Sequence, residues 1–346
     1  MNDTVLLMIR TKFAPVVAAA LLCAFTGSAA AQNSAIQAAG AENTALDSIS
    51  LKALQNYAYK ASDITITRFV SDTNGYYAFD VVYSSMNLSV SARFRVPKTA
   101  PRGLILMFRG HQFERGYYTG KGTENVGRRY LEAGYATVAP DFLGYAASSA
   151  TPAPAQAHQL YSIINAVELY MSMQNPVFRV APGVAVPPEA RAALPASFSR
   201  FGVWGHSNGG QVALHFLEMV KKPIPAILWA PVTLDYPDNV AHYSRNTVWA
   251  DAFKASHAAA DFALSRFLGS IAPGTPIFLE QGTADRSVPK SWSDGFAAAV
   301  ASENARRSDS NKIALTYRLY DNANHDLEPH LQTVWAQDVE FWRRHL

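Results

Sequence analysis

The sequence predicts an α/β fold, with a mostly parallel central sheet and helices on both faces. Three observations carry this. From Leu104 onward, short apolar runs alternate with stretches of helical periodicity, which is the signature of βαβ units. Upstream of Leu104, three segments alternate at period two, as half-buried antiparallel strands do. Between Phe201 and Gly210, a buried strand, a glycine-bounded turn and the start of a helix follow one another within ten residues.

The chain has 346 residues, of which 49% are hydrophobic. That suffices for one large domain with its own core. Residues 1–31 read as a cleavable secretory signal. Arg10 and Lys12 give a positive start, Phe13 to Phe25 an apolar run, and Ala29-Ala30-Ala31 a small-residue cleavage site before Gln32. The apolar run is too short to span a bilayer. Secretion or periplasmic export follows as the expectation, with no stable membrane anchor. Cys23, the single cysteine, lies in that segment, so the mature chain carries no thiol and no thiolate metal site.

Residues 32–59 read as a leader, rich in Ala, Gln, Asn and Ser at its start, with a short helix over 51–59. The domain proper is placed at 60–346. Ile64–Val70, Tyr77–Tyr83 and Leu88–Val96 are the antiparallel strands, with an Asn74-Gly75 turn between the first two. Parallel strands are placed at Leu104–Phe108, Ala136–Ala139, Phe201–Trp204, Ala226–Trp229, Pro276–Gln281 and Ala314–Leu319. Helices are placed at Glu124–Ala133, Ala155–Met173, Gln211–Val220, Lys290–Ser302 and Pro329–His345. The Pro- and Ala-rich stretch 175–199 reads as a surface insertion. The stretch 236–271 reads as a short cap or lid excursion, or as helices packed beside the sheet.

Ligands of such sheets bind beyond the carboxyl ends of the strands. Gly205-His206-Ser207-Asn208-Gly209 sits there and fits G-x-S-x-G in a strand–turn–helix frame, the context of a nucleophile elbow. A serine hydroxyl needs a base, and the base needs an orienting acid. Where an elbow carries the nucleophile, acid and histidine follow it in the chain. His325, in the loop after the last strand, is the expected base. Asp285, in the loop after the strand before it, is the expected acid, with Asp235 and Asp238 as alternatives. The tetrahedral intermediate needs two N–H donors. Asn208 is expected to supply one and His111 the other, with Gln112 next in line. Gln112, Phe142, Tyr145 and His206 are expected to line the substrate site, while Asp141 reads as a structural turn acid. No cofactor and no metal is called for. The net charge of +3 points to neither a nucleic-acid partner nor an acidic substrate.

These residues resemble the catalytic module of the α/β-hydrolase superfamily. The sequence is most similar to single-domain relatives of the prolyl oligopeptidase (S9-like) and dienelactone hydrolase groups. The resemblance rests on G-H-S-N-G-G at 205–210, Q-G-T-A-D-R-S-V-P at 281–289, N-A-N-H-D at 322–326 and A-P-D-F-L-G-Y at 139–145. It implies a Ser207–Asp285–His325 triad and an acyl-enzyme mechanism. Two departures stand out. Many relatives have His-Gly after the first parallel strand, where this chain has Arg109-Gly110. Residues 32–59 are also shorter than one propeller blade of about 40 residues, so the size filter of the full oligopeptidases is missing. A small-molecule carboxylic ester is therefore the first expected substrate and a peptide the second. A binding protein that keeps the fold without turnover is the reading from another class.

Overall fold

The computed structural model describes residues 46–346 apart from 74, 154–156, 246 and 256–258. The export segment with Cys23, most of the leader, Asn74 of the first turn and the start of the 155–173 helix lie outside the described residues.

Ten strands form one sheet. They are β1 Ile64–Asp72, β2 Tyr76–Ser85, β3 Leu88–Pro97, β4 Leu104–Phe108, β5 Ala136–Pro140, β6 Phe178–Val180, β7 Phe201–His206, β8 Ala226–Trp229, β9 Pro276–Gly282 and β10 Ala314–Tyr320. Their spatial order is β10-β9-β8-β7-β4-β5-β3-β2-β1-β6. The run from β10 to β5 is parallel throughout, and β1, β2 and β3 pair antiparallel. β3 joins the two halves by pairing antiparallel with β5. The expected fold class is thus the observed one, and the nine expected strands end within two residues of their predicted limits. β6 and the short helix Pro188–Ala192 were read as irregular insertion. Three residues are too few to show a period, and β6 exists because Ile64–Ile66 offers it an edge.

Both faces of the parallel region are covered, so its strands are apolar on alternate residues of both faces. Leu104, Leu106 and Phe108 of β4 join the larger core with helices His158–Gln174 and Asn208–Val220. Ile105 and Met107 face the other way, into a cluster with Tyr130, Trp204, Trp229, Val334 and Trp342. Helices Glu124–Glu132 and Leu331–His345 cover that second face. Leu46, Leu51 and Leu54 are buried in the larger core, so packing begins upstream of residue 60. The 236–271 excursion is tied into the same core by Tyr236, Phe253 and Phe262, whose rings meet at 4.9–5.9 Å. Asp235 Oδ1 also accepts the N–H of Leu264 at 2.9 Å. No helix among the described residues is long and apolar enough to cross a membrane.

The second face holds two buried acids. Glu280 of β9 and Asp338 of the C-terminal helix are both fully buried. Tyr320 donates to one and Tyr130 to the other. Burial pushes both carboxyls well up, and each lies against the other. Glu280 Oε2 and Asp338 Oδ1 lack a donor when both are read as carboxylates. A proton shared between the two carboxyls would supply it. A raised carboxyl pKa gives stability that is present below the unfolded value near 4 and lost as pH rises through the folded value. The melting temperature should therefore fall from pH 5 to pH 9. Glu280→Gln, which brings a permanent N–H donor, should flatten that fall. An identical slope in the variant would exclude the shared proton.

Candidate functional site

Ser207 stands where β7 turns into helix Asn208–Val220. Its φ is 57° and ψ −122°, a conformation that costs a non-glycine residue about 1–3 kcal/mol. Backbone bonds hold it there. The Ser207 N–H donates to Trp229 O at 3.0 Å, and Ser207 O accepts from Val232 at 3.0 Å and from Gly210 at 2.9 Å. The turn is too tight for side chains on either flank. A Cβ at Gly205 would lie 2.5 Å from Gly209 O, and one at Gly209 would lie 2.0 Å from Phe108 O. The Asn208 and Gly209 N–H groups precede the first bonds back to Ser207 O and point out of the N-terminus. The serine is 8% exposed.

His325 and Asp285 come together from two loops. His325 Nδ1–H donates to Asp285 Oδ2 at 2.8 Å. This leaves Nε2 as the basic ring nitrogen. The histidine side chain is 21% exposed and the aspartate fully covered. Burial pushes the Asp285 pKa up, but its donors outweigh burial and hold it below the usual value. Those donors are His325, the Val288 and Ser287 N–H groups on Oδ1, at 2.9 and 2.8 Å, and Gln281 Nε2 on Oδ2 at 3.1 Å. Gln281 is itself fixed by Ser293 Oγ at 2.8 Å. The two loops lie across each other, with Ala284 N–H on Ala323 O at 3.0 Å. Asp235 instead caps the excursion, and Asp238 pairs with Lys254.

The loop after β4 is organised by Arg109. Its side chain is nearly buried and donates to Tyr117 OH at 2.9 Å, Gly110 O at 3.0 Å and Asp141 O at 2.7 Å. The guanidinium also lies 4.0 Å from the Tyr145 ring centre. Asp141 accepts Ser91 Oγ at 2.6 Å, Tyr117 OH at 2.8 Å and the Gly120 N–H at 2.9 Å. It is a structural acid, as expected. Gly110 packs directly on the serine, where a Cβ would lie 3.1 Å from Ser207 Cβ. The peptide from Gly110 to His111 therefore borders Ser207.

A cavity of about 480 Å³ opens beside the elbow. His111, Asn208, Phe142 and Tyr145 are among its lining residues. Gln112 and His206 are not among its lining residues. Gln112 carries Tyr145 OH on its carbonyl at 2.8 Å, and its amide nitrogen would lie 3.3 Å from a Cβ at Gly122. His206 Nε2 donates to His325 O at 3.0 Å, and the two rings are 4.6 Å apart. Sequence reasoning missed Gln281 and Gln159, whose amide donates to Asn208 O at 2.8 Å. Gln159 lies in a helix whose apolar periodicity gives no sign of a polar partner on the elbow. Gln281 carries a usable signal, a carboxamide at the end of a strand that begins as an apolar run. Among the described residues, no group of three or more His, Cys, Asp or Glu is placed to hold a metal ion.

Burial, then the neighbouring His325, lowers the His206 pKa to about 4. The ring is therefore neutral at neutral pH and keeps its N–H for the His325 carbonyl. NMR of the ring nitrogens should show His206 titrating with a midpoint near 4. A midpoint above 6 would mean that the ring is not enclosed as described.

No protein-family profile matches the sequence, and no curated protein does. Solved structures do match the fold. Acetyl xylan esterase 1 from Thermoanaerobacterium sp. superposes with a TM-score of 0.56 at 15% identity, over 81% of this chain and 88% of that one. The Pyrococcus furiosus esterase Pf2001 gives 0.54 at 17%, over 81% and 99%. Est1E from Butyrivibrio proteoclasticus, solved with ferulic acid bound, gives 0.52 at 14%, over 76% and 98%. At such identities the likeness is one of fold, and the chain has the α/β-hydrolase fold.

Proposed function

We propose that the protein is a serine hydrolase that cleaves carboxylic esters through an acyl-enzyme. What supports this is the strained Ser207 elbow, beside which His206 donates to the carbonyl of His325, itself paired with Asp285 at 2.8 Å. The esterase names of the structural neighbours favour esters over peptides.

In this reading Ser207 Oγ attacks the ester carbonyl carbon, and its proton passes to His325 Nε2. The carbonyl oxygen takes the negative charge and is met by the N–H groups of Asn208 and His111. His325 then returns the proton to the departing alcohol as the carbon–oxygen bond breaks. Water repeats the sequence on the acyl-enzyme and frees the acid. Asp285 stays ionised through the cycle, which its depressed pKa favours, and stabilises the transient imidazolium. His206 is neutral and adds no positive charge beside it.

Ser207→Ala should lower kcat by several orders of magnitude with the fold intact and should abolish labelling by a fluorophosphonate probe. Near-normal turnover in the folded variant would end the proposal. Asp285→Asn should cost on the order of 10⁴ in kcat by reversing the hydrogen bond to His325. A larger loss from Asp235→Asn would move the acid to the loop after β8. Faster cleavage of aminoacyl amides than of acyl esters would make the protein a peptidase. Residues 1–31 are read as an export signal, so secreted material should begin near Gln32 on N-terminal sequencing. A start at Met1 contradicts this.

A further inference from the structure

We propose that His206 is a positioning residue, whose imidazole holds the carbonyl of His325 and so sets where the base stands relative to Ser207. This rests on the serine-hydrolase reading above and goes one step beyond it.

The His325 loop is tied first to the loop after β9. His325 Nδ1 meets Asp285 Oδ2 at 2.8 Å, the Ala284 N–H meets Ala323 O at 3.0 Å, and the Asn322 N–H meets Thr283 Oγ1 at 2.8 Å. These bonds make one body of acid and base, but none of them reaches the nucleophile. Among the described residues, one side-chain hydrogen bond joins the His325 loop to the elbow. It is the bond from His206 Nε2 to His325 O at 3.0 Å. His206 and Ser207 are adjacent in the chain, so this bond runs from the nucleophile's own backbone to that of the base.

The His206 ring is set by its surroundings. It ends β7, and its ring centre lies 6.2 Å from that of Trp204 and 6.4 Å from that of Trp229 in β8. Both tryptophans are buried. Nδ1 faces the loop after β4, 3.3 Å from where a Cβ on Gly110 would stand. A carbonyl only accepts, so Nε2 carries the hydrogen, and burial keeps the ring neutral. Asp326 Oδ1, 3.8 Å from Nε2, is beyond hydrogen-bond reach and leaves that hydrogen to the carbonyl. His325 is thereby held at two points, its ring by Asp285 and its carbonyl by His206. With the ring bond alone, acid and base could shift together away from Ser207. A displacement of about 1 Å can cost about 10²-fold in rate.

The test compares His206→Gln with His206→Met. Both side chains have the length to fill the place, and only the glutamine amide can donate to His325 O. A third variant, His206→Asn, is polar but too short to reach it. Each is assayed on the p-nitrophenyl, phenyl and ethyl esters of butanoic acid. p-Nitrophenoxide leaves without a proton, whereas ethoxide needs one from His325. The Met and Asn variants should lose about 10²-fold in kcat/KM on the ethyl ester and less on the p-nitrophenyl ester. The Gln variant should recover most of that loss. A smaller folded fraction lowers all three esters by one factor, so the spread between esters separates positioning from stability. Equal losses on the three esters, no loss in the Met and Asn variants, or a Gln variant as slow as Met would overturn the positioning role while leaving ester hydrolysis standing. No turnover of any ester by the unaltered protein, together with no fluorophosphonate labelling, would remove the serine-hydrolase reading itself and this proposal with it.

Discussion

The reversal at Ser207 is the constraint on which the rest of the site depends. The chain leaves β7 and enters a helix with one residue between them, and that residue has φ of 57°. Nothing local stabilises such a conformation in a serine. It persists because β8 grips the turn through Trp229 and Val232, and because glycine at 205 and 209 lets neighbouring backbone come within distances that no side chain allows. The strain and the exposed helix N-terminus have the same cause. A turn sharp enough to present the hydroxyl also presents the unpaired N–H groups beside it.

That constraint is local, and the sequence showed it. The same is true of the strands and of the loops holding Asp285 and His325, because period, turn glycines and chain order are properties of short stretches. The partners that fix those residues are not local. His206 reads as a residue facing substrate, since it abuts the nucleophile. Its hydrogen bond instead runs to a carbonyl 119 positions away, and no window of sequence contains both ends. Gln159 and Asn208 are separated by 49 positions, and Arg109 and Asp141 by 32. Polar side chains that satisfy distant backbone groups leave no periodic trace. β6 escaped for another reason: a three-residue strand is defined by its edge partner rather than by its own pattern.

Arg109 shows how a departure from a family pattern can be read physically. Here one guanidinium ties the β4 end to Tyr117, to the Asp141 carbonyl and to the loop's own Gly110 carbonyl. Planar, multiply donating arginine suits this in a way that lysine does not. Buried Asp141 sits in the same network and completes it through Tyr117, Ser91 and Gly120. The Gly110–His111 peptide is thereby held from two sides against Ser207.

The acids of β9 and its following loop show how local donors, rather than burial, decide charge. Glu280 and Asp285 are five positions apart, and both side chains are withdrawn from water. Burial alone raises both. Asp285 receives two backbone N–H groups, a carboxamide and an imidazole, and ends below its usual value. Glu280 faces a second carboxyl and a tyrosine hydroxyl, and burial pushes its pKa well up. The strand's alternation sends its residues to opposite faces. Glu280 is turned toward the C-terminal helix, and Gln281 toward Asp285, where its amide is one of the four donors. One strand end thus supports a carboxyl held toward its ionised form on one side and a pair of carboxyls held toward protonation on the other.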